Sequence, residues 1–81
     1  MLEELKQHRK TVGLKQSLRA VEADKVLAVY IADDAEERVV KKIVELCKAK
    51  NIEIRKAESM KVLGRTCGID VGTAVAAILK E

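Results

Sequence analysis

At 81 residues the chain has room for one domain with one modest hydrophobic core. A single tyrosine, with no phenylalanine and no tryptophan, excludes modules that hold bases on aromatic platforms, such as a recognition-motif sheet or a cold-shock barrel. The net charge of +3 is mild, yet residues 1–20 hold Lys6, Arg9, Lys10, Lys15 and Arg19 against only Glu3 and Glu4, while residues 21–81 balance at eleven basic and eleven acidic side chains. Such local excess suits a polyanion-facing surface, with an ordinary solvated face as the alternative.

Cys47 and Cys67 stand twenty positions apart, without the close pairing of a zinc or redox site. Met1-Leu2-Glu3-Glu4 is acidic at once and leads into no apolar stretch, so no secretory leader is expected. No run approaches the ~18 apolar residues of a membrane span. A cytoplasmic monomer with free thiols, no cofactor and no membrane partner is the expectation.

In chain order, Leu2–Arg9 has the propensity of a short helix with Leu2 and Leu5 on one face, broken at Thr11-Val12-Gly13. A second helix follows from Leu14 to Glu22, because Leu14, Leu18 and Val21 recur at i, i+4 and i+7. Lys15, Arg19 and Glu22 occupy its other side, with Gln16 beside them. Lys25–Ala32 is a nearly continuous apolar run, the pattern of a strand covered on both faces. Asp33-Asp34 offers an N-cap, and Val39, Val40, Ile43, Val44, Leu46 and Cys47 form the buried stripe of a helix over about 35–49, ended by Asn51 in a left-handed conformation.

Ile52–Lys56 reads as a second short strand, and Ser59 caps a helix through Thr66 that Gly68 stops. Residues 69–73 are then a loop. The small apolar segment Ala74–Leu79 fits strand or helix equally, since periodicity does not separate them. Strands alternating with helices predict an α/β protein, a three-layer α/β/α sandwich with a small mixed sheet, over residues 1–81 as one domain.

Three segments carry a resemblance. Gly13-Leu14-Lys15-Gln16-Ser17-Leu18-Arg19 resembles a Gly-x-Asn-Glu-x-x-Lys signature; Val29–Ala35 resembles a central strand with its acidic turn; Leu63–Ala74 resembles a Leu-Gly-x-x-x-Gly-[Leu/Ile]-x-Val loop. Each motif alone is common, but their order and spacing over about residues 11–79 are specific. They are similar to those of the kink-turn-binding ribosomal-protein family, whose bacterial branch has members about this short. Lys15-Gln16 replaces the archaeal Asn-Glu and resembles the bacterial version, and Arg19 stands for the later lysine.

The resemblance implies recognition of RNA internal loops with tandem sheared G·A pairs, in ribosomal RNA or a regulatory RNA element, by a ribosome-associated protein or a stabiliser of structured RNA. An A-form major groove is too narrow for side chains to read, but a kink opens it locally. The amino end of the helix beginning near Gly13 then enters, with Lys15 and Gln16 towards guanine edges and Arg19 towards a phosphate. The loop Ile69-Asp70-Val71-Gly72 covers the extruded nucleotide, with Ile69 and Val71 against its base. For these residues the structural alternatives are a solvated helix face and ordinary core packing. A protein-interaction subunit on the same fold is the competing function; basic residues at Lys15 and Arg19 beside Gly13 favour RNA.

Signals of catalysis are missing. His8 is the only histidine and has no nucleophile partner in its charged surroundings. Gly64-Arg65-Thr66-Cys67-Gly68 resembles a phosphate loop in outline but lacks the Gly-Lys-[Ser/Thr] ending. Asp33, Asp34, Glu36 and Glu37 suggest a cation site less well than helix capping. No enzyme is expected.

Overall fold

The apolar run before Asp33 becomes one of two central strands, because each of its faces finds a layer of helix to bury against. The computed structural model describes residues 3–81, so the expected pairing of Leu2 with Leu5 lies partly outside them. The elements are α1 (Glu3–Gln7), β1 (Lys10–Val12), α2 (Leu14–Glu22), β2 (Val26–Ala32), α3 (Glu37–Lys50), β3 (Glu53–Ala57), α4 (Met60–Thr66) and β4 (Val75–Leu79). The sheet runs β1-β4-β2-β3, with β2 parallel to β3 and antiparallel to β4, and β1 antiparallel to β4.

Alternation along β2 and β4 divides the core in two. Val29, Ile31, Val75 and Ala77 face α2 and α3, where Ala20, Val21, Val40, Ile43 and Cys47 meet them. Tyr30, Ala32, Ala76 and Ile78 face the other way, onto Leu5 of α1 and Leu63 of α4. The result is a three-layer α/β/α sandwich on a mixed sheet. Leu27 breaks the two-face pattern: it is exposed where the register of β2 against β4 shifts between Val26 and Ala28. Burial pushes the Cys47 thiol pKa above its ordinary value.

Several local expectations need correction. Thr11-Val12 does not simply break a helix; with Lys10 it forms β1, paired to Ala77 and Ala76. Three residues are too few to show a period, although both are β-branched. The buried face of α2 is Ser17, Ala20 and Val21, with Leu14 and Leu18 only half-buried. Ser17 is accommodated because its hydroxyl pairs with that of Thr11 at 2.8 Å. Val39 lies outside the α3 stripe and is exposed.

Asp33-Asp34 does not cap α3, which starts at Glu37 after Glu36 and has no side-chain cap. Asp34 Oδ1 instead accepts the Met60 N–H at 2.7 Å, serving the first residue of α4. The segment left open, 74–79, is largely strand β4. Its alanines suit it: Ala76 and Ala77 are wholly buried, between helices on either side of the sheet.

The local stops behave as their residues dictate. Asn51 closes α3 at φ 58°, ψ 40°. Ser59 Oγ accepts the Val62 N–H at 3.1 Å. Gly68, at φ 85°, ends α4 in a Schellman motif: its N–H donates to the Arg65 carbonyl and the Ile69 N–H to the Gly64 carbonyl, both at 3.0 Å. Residues 64–66 are therefore helix, and the outline of a phosphate loop has no counterpart in the fold.

Candidate nucleic-acid interface

Gly13 sets the entry to α2 at φ 97°, ψ 157°, a backbone region that essentially only glycine occupies. A Cβ there would meet nothing within 4 Å, so the requirement is conformational and the space above the helix end is open. No side chain caps this terminus, which leaves the first-turn N–H groups facing outward with the positive end of the helix dipole. Lys15, Gln16 and Arg19 are all exposed on the side opposite Ser17 and Val21. Lys15 and Arg19 are one turn apart, and neither joins an ion pair among the described residues.

The second segment is the loop after α4, shaped by two close backbone approaches. A Cβ at Gly64 would overlap the Val71 carbonyl oxygen, and one at Gly72 would press to 3.2 Å on the backbone of Met60. Glycine at both positions lets the loop lie against α4. The outcome is an outward-facing Val71, 69% exposed, flanked by exposed Asp70 and Gly72. Ile69 is only half-buried and follows the helix stop, so it combines a packing role with partial exposure.

The sheet brings these segments together. Val12 pairs with Ala76 across β1 and β4, and the Gly13 N–H donates to the Val75 carbonyl at 2.8 Å. The start of α2 therefore sits beside the start of β4, immediately after the loop. A third segment reaches the same rim: the turn 33–36 follows β2, whose Ala32 N–H donates to Ala74 at 2.9 Å, while Asp33 N–H donates to Ala57 at 2.8 Å. All eight residues singled out from the sequence lie on two of these three segments. The turn 33–36 and Thr73 were not singled out; Asp34 carried a capping signal but for a different helix, and Thr73 carried none.

The basic excess of the first twenty residues does not form one patch. Lys6 belongs to α1 on one side of the sheet, while Lys15 and Arg19 belong to α2 on the other. Two grooves along α3, lined by Val40, Val44 and Lys48 among others, contain none of the eight residues. The rim sets an uncapped helix end beside a loop that exposes Val71. Among the described residues no cluster of three His, Cys, Asp or Glu side chains is placed to hold a metal, and no helix is long and apolar enough to cross a membrane.

Comparison with known proteins matches residues 2–81 to the Ribosomal protein L7Ae/L30e/S12e/Gadd45 family. The chain belongs to this family. An RNA-binding protein of Caldanaerobacter subterraneus subsp. tengcongensis is 59% identical over 69 residues, which are 85% of this chain and 84% of that one. An RNA-binding protein of Halalkalibacterium halodurans is 51% identical with the same coverage. Among solved structures, the Giardia lamblia 15.5kD RNA binding protein superposes with a TM-score of 0.88 at 30% identity, covering 99% of this chain and 71% of that one. A Bacillus halodurans protein of unknown function, at 22% identity and TM-score 0.84 over 98% of this chain and 80% of its own, shares the fold. The family agrees with a binding protein and not an enzyme.

Proposed function

We propose that this protein binds RNA at kink-turns, using the rim formed by the amino end of α2 and the loop 69–72. The observation that carries the reading is the shared anchorage of an uncapped helix start and an exposed apolar loop at the first residue of β4. A kinked internal loop offers the complementary surface: an opened major groove for the helix end and an unstacked base for the loop. Lys15 and Gln16 meet guanine edges, Arg19 holds a phosphate, and Val71 with the exposed part of Ile69 covers the extruded base. Gly13, Asp70 and Gly72 give the backbone its close approach.

Family membership and the RNA-binding names of its relatives support this reading. The protein is taken to act in the cytoplasm as a monomer, on ribosomal RNA or a structured regulatory element. A gel shift tests it directly. The parent protein should retard a kink-turn RNA and leave unshifted the same RNA with its G·A pairs replaced. Equal retardation of both would reduce the interaction to general charge.

A further inference from the structure

We infer that Thr73 is a positioning residue that makes the two halves of the proposed RNA interface one unit, through a carbonyl oxygen it shares with Gly13. The inference rests on the reading of the rim as the RNA site. Thr73 is buried, at 7% exposure, and closes the loop directly after Gly72. Its hydroxyl donates to the Val75 carbonyl at 2.9 Å, and the Gly13 N–H donates to the same oxygen at 2.8 Å. A carbonyl has two lone pairs, and here the end of the loop holds one and the start of α2 holds the other.

The linkage continues on the other side of Thr73. Its N–H donates to the Met60 carbonyl at 3.0 Å, and the Met60 N–H donates to Asp34 Oδ1 at 2.7 Å. Gly72 packs against the same Met60 backbone. A continuous hydrogen-bonded path therefore runs from the turn after β2, through the first residue of α4 and the loop end, to the amino end of α2. Met60 and Thr73 are the nodes of this path between the acidic turn and Val75. The Thr73 side chain is buried, so Thr73 acts by fixing where Val71 and Gly13 stand relative to each other. A preorganised rim avoids ordering the loop on association, which otherwise weakens binding.

The position permits a clean test, because valine matches threonine in shape and puts a methyl, which cannot donate, where the hydroxyl stands. Thr73→Val leaves the Val75 carbonyl still accepting from Gly13, so no buried group is stranded and the fold should persist, as circular dichroism would report. Binding of a kink-turn RNA should fall roughly tenfold. Thr73→Ser, which keeps the donor, should restore affinity to within about twofold of the parent. The slope of log affinity against log salt should not change in either variant, since no phosphate contact is altered.

A second readout needs no RNA. The Gly13 amide resonance should move in Thr73→Val and return towards the parent position in Thr73→Ser. If Thr73→Val binds as the parent does and the Gly13 amide stays in place, the coupling is absent. If Ser and Val weaken binding equally, the hydroxyl is not the agent and the inference is likewise overturned. Failure of the parent itself to bind the kink-turn would count against the proposed function, while the Gly13 amide would still decide the coupling.

Discussion

Ile43 is wholly buried where α3 meets the sheet, and its loss would open a void among Val21, Val29 and Cys47 that the surrounding backbone has little freedom to fill. Ile43→Ala should therefore cost about 2–4 kcal/mol, measured by urea denaturation, and a change near zero would misplace the buried face of α3. Lys15 is a residue of the opposite kind, exposed and unpaired among the described residues, so its contribution waits for a ligand. Lys15→Ala should leave stability nearly untouched but weaken kink-turn binding by more than about 1 kcal/mol, because a cationic contact to base edges is lost. Lys50 is the proper comparison. It pairs with Asp24 at 2.8 Å, holding the far end of α3 to the far end of α2 and drawing the Asp24 carboxyl pKa below its ordinary value. Lys50→Ala should change stability little, since the pair is screened by solvent, and leave RNA affinity as it was. Equal losses of RNA affinity from the two substitutions would mean that general charge drives binding.

Elements differ in how far their own residues determine them, and that difference decides what the sequence reveals. Strand β2 and the stripe of α3 are legible because their own apolar patterns announce them, and the stops at Asn51, Ser59 and Gly68 because their bonds close within a few residues. Strand β1 is not, because three residues become a strand only through Ala76, Ala77 and Ile78, more than sixty positions away. Asp34 misleads for the same reason: it stands before one helix and serves another twenty-six residues on. Of the candidate site, Gly13, Lys15, Gln16, Arg19 and the loop are legible through their resemblance to a family pattern, whereas Thr73 acquires meaning only when Val75 and Gly13 are seen together. Gly64 belongs between these cases: its sequence motif is visible, but its reason is the Val71 carbonyl lying where a Cβ would stand. Gly64→Ala must displace α4 or the loop, so it should cost roughly 1–3 kcal/mol by chemical denaturation and weaken RNA binding with it. A variant as stable as the parent would show that the loop yields freely. Helix α1 is tied to edge strand β3 by Arg55, which bonds Glu4 and Glu53 at 2.9 Å and Tyr30 at 3.0 Å. Arg55 holds the Glu53 carboxyl below its usual range. A carboxyl depressed on folding stabilises above its unfolded pKa, about 4.3, and that contribution disappears as pH falls through the lower folded value. Thermal melts taken downward from about pH 5 should thus lose more in the parent than in Arg55→Met; parallel curves would remove this pair from the acid response.

At the scale of the whole molecule, the sheet places chemically different contacts on one rim, and the proposed complex should separate them by their response to salt. The uncapped start of α2 with Arg19 one turn on is a charged contact, and a phosphate held there releases counterions. Val71 is an apolar contact, 69% exposed in the free protein and therefore with surface to lose on binding. With one tyrosine in the chain, and that one buried against Arg55, no tyrosine, phenylalanine or tryptophan ring is available to stack on a base extruded in the proposed complex. In the proposed complex the loop supplies small apolar contact instead. Val71→Ala removes two methyl groups, so at about 0.8 kcal/mol per buried carbon the loss should be roughly 1–2 kcal/mol in binding, with little change in the free protein's stability. Because that contact is uncharged, the variant's line of log affinity against log salt should run parallel to the parent's, displaced downward. Arg19→Ala should instead reduce the slope by about one phosphate's worth, so that the two lines converge as salt rises. One titration series over both variants therefore resolves base covering from phosphate holding. Should Val71→Ala bind a kink-turn as tightly as the parent, the loop would be a structural closure of α4 onto β4, and its assignment to the RNA site would fail.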